Sequence, residues 1–309
     1  MNMPLVVPAP AKLNLFLHVT GRREDGYHTL QTLFQLLDHG DLITLTPRAD
    51  TRIVRTSALP GVPAEADLVV RAAEALAARA TPPFGVDIDV IKQLPMGGGL
   101  GGGSSDAASV LVGLNALWGL ALSRDALARI GLGLGADVPV FVHARTAFAQ
   151  GVGEELTPVV LPERAYLVLH PGCEISTAHI FSAPALTRDT PRLRIADLSH
   201  ATTRNDCEPV VRDLFPAVAS ALDWLTRHLP PEAGGARLTG TGACVFAALP
   251  SLVDAEALLG QALMAHPDWE GFVARGVNRS PLEAALVQAG LADVGSVLEA
   301  MPHPPMHGA

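Results

Sequence analysis

Six of the seven residues from Gly97 to Gly103 are glycine, within Pro95-Met96-Gly97-Gly98-Gly99-Leu100-Gly101-Gly102-Gly103-Ser104-Ser105. Glycine reaches positive φ without steric cost and lets another group come into backbone contact, but it is the residue most expensive in entropy to order. A bound anion would offset that cost. Downstream, Ala107, Ala108, Val110, Leu111, Leu114 and Leu117 have the spacing of one buried helix face. The spacing predicts a helix from Ser104 or Ser105, capped by serine. A bare loop feeding a helix N-terminus is suited to phosphate. The alternative is a flexible linker, which is disfavoured between a strand-like run and a patterned helix with Pro95 on its rim. No Lys follows the glycines as a Walker A loop requires. Gly97, Gly99 and Gly102 fit G-x-G-x-x-G, yet Lys92–Met96 separates them from the strand, unlike a dinucleotide fold.

Lys12 and Asn14 lie two residues apart on one face of an alternating run, with Leu13, Leu15 and Leu17 on the other. Lys12 is either a solvated lysine or a cation for an anionic substrate. Asp137 precedes Val138-Pro139-Val140-Phe141, which reads as a buried strand. There it is a turn or cap residue, or a paired carboxylate, since a free buried carboxylate is costly. Paired with a lysine it could orient or deprotonate a hydroxyl. Tyr27 and His28 follow the turn Gly21–Gly26. They are exposed hairpin-tip residues, or one stacks on a flat ligand while the other hydrogen-bonds it. Thr239-Gly240-Thr241-Gly242 is a second small-residue loop and on its own weak evidence. Asn205 or Asp206 could cap a helix; a metal contact from Asp206 and Glu208 is the weaker reading.

The elements that must position these residues are legible as patterns. Strand-like runs fall at 12–19, 42–46, 51–54, 86–91, 166–170 and 272–275, with a hairpin over 236–246. Asp67 and Ser123 read as caps of two helices. A long helical region spans about 206–229, and further helices cover 255–265 and start at Pro281. Strands and helices mix without steady βαβ alternation, which favours an α+β fold over a doubly wound sheet. A polar, Pro-containing stretch near 153–162 is the best domain boundary.

The chain has 309 residues, 49% apolar and 17% charged, which is globular and long enough for two domains. A net charge of -9 weighs against a nucleic acid polymer as partner. The three scattered cysteines lack metal-ligand spacing and suit a reducing compartment. No signal peptide and no membrane span are apparent, so a cytoplasmic protein without membrane partners is expected.

The chain resembles the GHMP kinase superfamily, and within it the 4-diphosphocytidyl-2-C-methyl-D-erythritol kinases of the non-mevalonate isoprenoid pathway. The segments that carry the likeness are PAKLNLFLHVTGRREDGYHTLQTLFQLLD from Pro10, PMGGGLGGGSSDAA from Pro95, GADVPVF from Gly135, HPGCEISTAHIF from His170, NDCEPVV from Asn205, LTGTGACVF from Leu238 and GVNRSPL from Gly276. The resemblance implies a two-domain α+β fold: a nucleotide-binding and catalytic domain over 1–155 and a substrate domain over 156–300; the terminal segment 301–309 reads by itself as a disordered tail. It implies ATP as co-substrate, with Pro95 to Ser105 wrapping its phosphates. Mg²⁺ would bridge them, with Ser104 or Ser105 as the nearest hydroxyl. Lys12 and Asp137 resemble the catalytic pair, and Asn14 their positioning partner. Tyr27 and His28 resemble the cytosine-recognition pair, Phe181 the second stacking face. Thr177 and the loop Thr239, Gly240, Thr241, Gly242 resemble substrate or phosphate contacts. The partners implied are small molecules only, for a monomer or weak homodimer.

Overall fold

The computed structural model describes residues 3–57, 59, 62–80, 85–198 and 200–291; the tail expected at 301–309 lies outside them. The chain opens with two long antiparallel strands, β1 (Leu5–Arg22) and β2 (His28–Arg48), joined by a tight turn over Arg23–Tyr27. Then come β3 (Ile53–Arg55), α1 (Leu68–Ala77), β4 (Gly85–Ile91), α2 (Gly102–Leu117), α3 (Arg124–Leu132), α4 (Val138–His143), β5 (Ala147–Gln150) and β6 (Glu155–Pro158). The second half adds β7 (Ala165–His170), α5 (Thr177–Ser182), α6 (Glu208–Leu214), α7 (Pro216–His228), β8 (Arg237–Leu238), β9 (Val245–Leu249), α8 (Leu252–Ala265), β10 (Glu270–Val277) and α9 (Pro281–Gln288).

These strands form one sheet with the order β3-β4-β2-β10-β7-β9-β8, while β1 and β5 also pair with β2, and β6 with β5. Only β3–β4 is parallel; the other pairings are antiparallel, as an α+β fold requires. The long β2 is the hub. It carries β1 along one edge, and β5, β10 and β4 in succession along the other. One apolar core packs α1, α2, α3, α4 and α9 on β1, β2 and β4, around Leu36, Ile43, Ile88, Leu111 and Phe141. A second packs α6, α7 and α8 on β7 and β9, around Leu167, Val211, Leu225 and Val245. Ala11, Leu13, Leu100, Val168 and Phe246 belong to a third, smaller cluster. Helix α9 returns from the C-terminal half to the first core through Leu282 and Leu286. No helix among the described residues is long and apolar enough to cross a membrane.

Four local expectations change. Helix α2 starts at Gly102 rather than at a serine: Gly101 is its N-cap at φ 73°, with no side-chain cap bond. The run Val138–Phe141 is a helix, not a strand, because an apolar stretch this short has no period of its own and Pro139 is accommodated in a first helical turn. The long helical region splits at Phe215, where Pro216 removes a backbone donor. In β1 the alternation fails: register shifts between Asn14 and Leu17 send Phe16 to a satellite core and turn Leu17 towards the same cleft as Lys12. The caps at Asp67 and Ser123 form as read, accepting from the N–H groups of Val69 and Ala126.

Candidate active site

Strand β1 has β2 on one side only. Pro8 and Pro10 are tolerated in its interior because an edge strand does not need every N–H in a ladder. The free edge is then completed by loops rather than by another strand. Lys12 N donates to Leu100 O (3.0 Å), Asn14 N to Thr239 Oγ1 (3.0 Å), Leu17 N to Arg204 O (3.1 Å) and Val19 N to Asp206 Oδ2 (2.8 Å). Both glycine loops therefore dock on the strand that bears Lys12 and Asn14. They also bond to each other: Ala243 N donates to Gly97 O and Cys244 N to Gly98 O, both at 3.1 Å. Two of the glycines are sterically required. A Cβ on Gly99 would sit 2.3 Å from Thr239 O, and one on Gly101 would sit 2.8 Å from the Phe141 ring and 3.2 Å from Lys12 Cε.

The result is a cleft of about 630 Å³. Lys12 is buried at its floor. Its Nζ donates to Asn14 Oδ1 (2.5 Å) and Gly99 O (2.8 Å), lies 3.4 Å from Asp137 Oδ2 and stands 5.4 Å from the centre of the Phe34 ring. The solvated-lysine alternative is thereby removed. Asn14 Nδ2 donates to Thr32 Oγ1 at 2.9 Å, so its amide orientation is fixed from below. Asp137 occupies the N-cap position of α4 without capping it, and its side chain is 34% exposed. The carboxylate is thus held beside a buried cation and open to a ligand. Opposite it, α2 presents a first turn with no side-chain cap, so its leading N–H groups and dipole face the cleft. Of the two serines, Ser104 lines the cleft, whereas Ser105 is fully buried with its Oγ unpartnered.

The sequence reading missed a second charged cluster. Lys92, at the end of β4, pairs with Asp41 of β2 and with Asp106 Oδ2 of α2 (2.8 Å). Asp41 Oδ1 also accepts from the N–H groups of Gln93 (2.6 Å) and Leu94 (2.9 Å) and so pins the entry to the glycine loop. Burial opposes the charge on Lys92, but Asp106 and Asp41 together raise its pKa above the ordinary value. With two carboxylates on one ammonium, Asp106 is pushed up to about 7, first by burial, against the pull of Lys92 and with the help of Asp41. Between about pH 4 and 7 the folded chain holds a proton that the unfolded chain has released, so this group makes stability fall as pH rises through that window. Asp106→Asn is expected to flatten that limb and to raise stability at pH 8 by roughly 1–3 kcal/mol. Urea unfolding of both proteins at pH 5 and pH 8 measures the difference. An equal pH dependence in the two would remove Asp106 as its source.

Phe181 lines the cleft, whereas Tyr27 and His28 are not among its lining residues; His28 is the first residue of β2 and stacks on Phe181 from beside it (ring centres 5.2 Å apart, planes at 26°). Tyr27 is 64% exposed on the preceding turn, so it is His28 that lies against Phe181. Thr177, at the start of α5, shares a hydrogen bond of 3.1 Å with Thr241 of the second loop. Thr239 and Gly240 meet Gly99 and Asn14, which brings that loop into the same cleft, while Gly242 packs on Ile175 and Leu238 behind it. Asn205 is not a helix cap. Its Nδ2 donates to Leu238 O (2.9 Å) and Gly240 O (2.8 Å), holding the second loop from behind. Asp206 is taken up by Val19 N, Thr190 and Arg204, and no cluster of three metal-ligating residues exists among the described residues.

Known proteins match this chain along nearly their whole length. Residues 67–145 match the model of the GHMP kinases N-terminal domain, and residues 183–263 that of the GHMP kinases C-terminal domain. The chain is 58% identical over 287 residues to the 4-diphosphocytidyl-2-C-methyl-D-erythritol kinase of Halorhodospira halophila, covering 92% of this chain and 97% of that protein. It is 55% identical over 282 residues to the enzyme of the same name from Cupriavidus necator, covering 90% and 94%. A crystal structure of 4-(cytidine 5'-diphospho)-2C-methyl-D-erythritol kinase superposes with a TM-score of 0.75 at 33% identity, covering 89% of this chain and all (100%) of that one. The Methanococcus jannaschii mevalonate kinase shares the fold at a TM-score of 0.64 and 16% identity, covering 90% and 99%. On both sequence and structure, this chain belongs to the GHMP kinase family, in its branch of 4-diphosphocytidyl-2-C-methyl-D-erythritol kinases.

Proposed function

We propose that the chain transfers the γ-phosphoryl of ATP to the 2-hydroxyl of 4-(cytidine 5'-diphospho)-2-C-methyl-D-erythritol, giving the 2-phosphate and ADP, a step in isoprenoid precursor synthesis. The observation that carries this reading is the Lys12–Asn14–Asp137 cluster facing the uncapped start of α2 across one cleft. Phosphoryl transfer demands alignment and charge neutralisation more than covalent help from the protein. The N–H groups at the start of α2 and the loop 95–105 hold the ATP phosphates. Lys12 neutralises the transferring group, and Asn14 fixes the ammonium. Asp137 orients the acceptor hydroxyl and takes its proton. Thr177 and the loop 239–242 contact the substrate or its phosphates.

Mg²⁺ fits the residues present. The cleft offers hard oxygens in small number, from Ser104 and from Asp106, whose Oδ1 has no partner. Such a set suits a cation that keeps phosphate oxygens and waters as its other ligands. Bound there, Mg²⁺ would neutralise phosphate charge. The partners in this reading are small molecules only, bound by a monomer or weak homodimer.

The test is ADP release by the purified enzyme across alcohols that include the cytidyl compound, mevalonate, homoserine and galactose. Turnover of the cytidyl compound alone is expected; preference for another alcohol would overturn the reading. Stacking on one aromatic face is worth roughly 1–3 kcal/mol per base. If Tyr27 closes over the base, Tyr27→Ala should raise KM for the cytidyl substrate about 5- to 150-fold and leave KM for ATP in place. An unchanged KM would confine Tyr27 to the exposed turn where it stands in the free chain.

A further inference from the structure

Arg188 lies outside the residues that the sequence singles out, yet it ties His28 to the backbone that carries Phe181 of the cleft. Its Nε donates to His28 Nε2 at 3.1 Å. Its Nη2 donates to Phe181 O (3.0 Å) and Ala183 O (2.8 Å), and its Nη1 to Leu186 O (2.9 Å). One side chain thus fixes the backbone under Phe181 and, at the same time, the ring stacked on Phe181.

We propose that Arg188 sets which base the pocket accepts, by holding His28 in the tautomer that carries its proton on Nδ1. The proposal rests on the cytidyl reading above. A guanidinium has five donors, no acceptor, and does not lose its proton in proteins. Nε2 of His28 must therefore present a lone pair to it, and in a neutral imidazole the remaining nitrogen then bears the hydrogen. Burial lowers the pKa of His28, and the charges of Arg188 and Arg22 lower it further, in the same direction as the donor at Nε2: towards the neutral ring. His28 is left with one donor, Nδ1–H, and no acceptor for a ligand. Cytosine offers an unprotonated N3 to such a donor. Uracil carries a hydrogen at N3, so donor would face donor and one of them would lose its partner. Arg188 is in this sense a positioning residue that works through His28.

The test compares kcat/KM for the cytidyl substrate and its uridyl analogue in wild type, Arg188→Lys and Arg188→Gln. Both substitutions lose the fork that holds the three carbonyls, so a purely structural role predicts equal damage from each. They differ towards His28. Lysine can only donate and keeps Nε2 as the acceptor; glutamine donates or accepts and releases the tautomer. Wild type is expected to prefer cytosine by about tenfold or more, Arg188→Lys to keep most of that ratio, and Arg188→Gln to lose it. Long-range ¹H–¹⁵N spectra of the free, histidine-labelled enzyme, with His28 assigned by its loss in His28→Asn, read the tautomer directly. The expected result is a proton on Nδ1 in wild type and a mixture in Arg188→Gln. A proton on Nε2 in wild type, or a base ratio that Arg188→Gln leaves unchanged, would overturn the proposal. Failure of wild type to phosphorylate the cytidyl compound at all would instead strike the functional reading, because the spectra require no substrate.

Discussion

Asp137→Ala is expected to lower kcat by about 10²–10⁴, the range of a positioned acid–base group. The carboxylate makes no cap bond to α4, but it faces the buried ammonium of Lys12, so the melting temperature should fall while the protein stays folded. It stands 3.4 Å from Lys12 Nζ and is not itself part of the loop that would hold the nucleotide phosphates, so the affinity for ATP should change less than the rate. Single-turnover rates with saturating substrate, beside an ATP titration, separate the two. Asp137→Asn refines the result: it keeps the shape and a hydroxyl-orienting oxygen but cannot take the proton. A loss as large as that of alanine assigns the proton to Asp137; a much smaller one assigns it orientation, which phosphoryl transfer needs more. Near-normal turnover in both variants would take Asp137 out of the reaction.

Gly101→Val is expected to be more damaging, and its effect should fall on ATP as well as on rate. Gly101 caps α2 at φ 73°, a conformation that a branched residue adopts only under strain, at roughly 1–3 kcal/mol. Its new Cβ would press on the buried Phe141 ring and on the stem of Lys12, an overpacking worth roughly another 1–3 kcal/mol. Relief comes by shifting the first turn of α2 or by moving Lys12, and either disturbs the cleft. We expect a folded protein by circular dichroism, ATP affinity reduced at least about tenfold, and kcat reduced with it, each 1.4 kcal/mol of lost alignment being worth a factor of ten. Wild-type affinity for ATP in a folded Gly101→Val protein would mean that the loop serves some other site.

Much of this was legible from the chain alone, wherever the determining forces are local. The existence of α2, the Asp67 and Ser123 caps and the hairpin about the second glycine loop depend on residues within a turn or two of each other, although α2 is buried all round from Ser105 to Asn115 and not on one face as its spacing suggested. The glycine loop, Lys12, Asn14 and Asp137 stood out by type and pattern, and the fold gathers them into one cleft. The start of α2 was not legible, because an αL glycine replaces the side-chain cap, and a run of six glycines does not reveal which one takes that conformation. Nor was the helical state of Val138–His143, where a short apolar run suits either period and packing on α2 and α3 decides. Lys92 could not be given partners, since Asp41 lies 51 residues upstream and reaches it only through the pairing of β2 with β4. Arg188 is a surface-type residue in a loop until the fold brings it 160 positions back to His28. Sequence by itself determined the local elements and the chemistry they carry. Tertiary structure decided which of those groups meet, because a hydrogen bond or ion pair depends on distance in space, and the register of distant strands sets that distance.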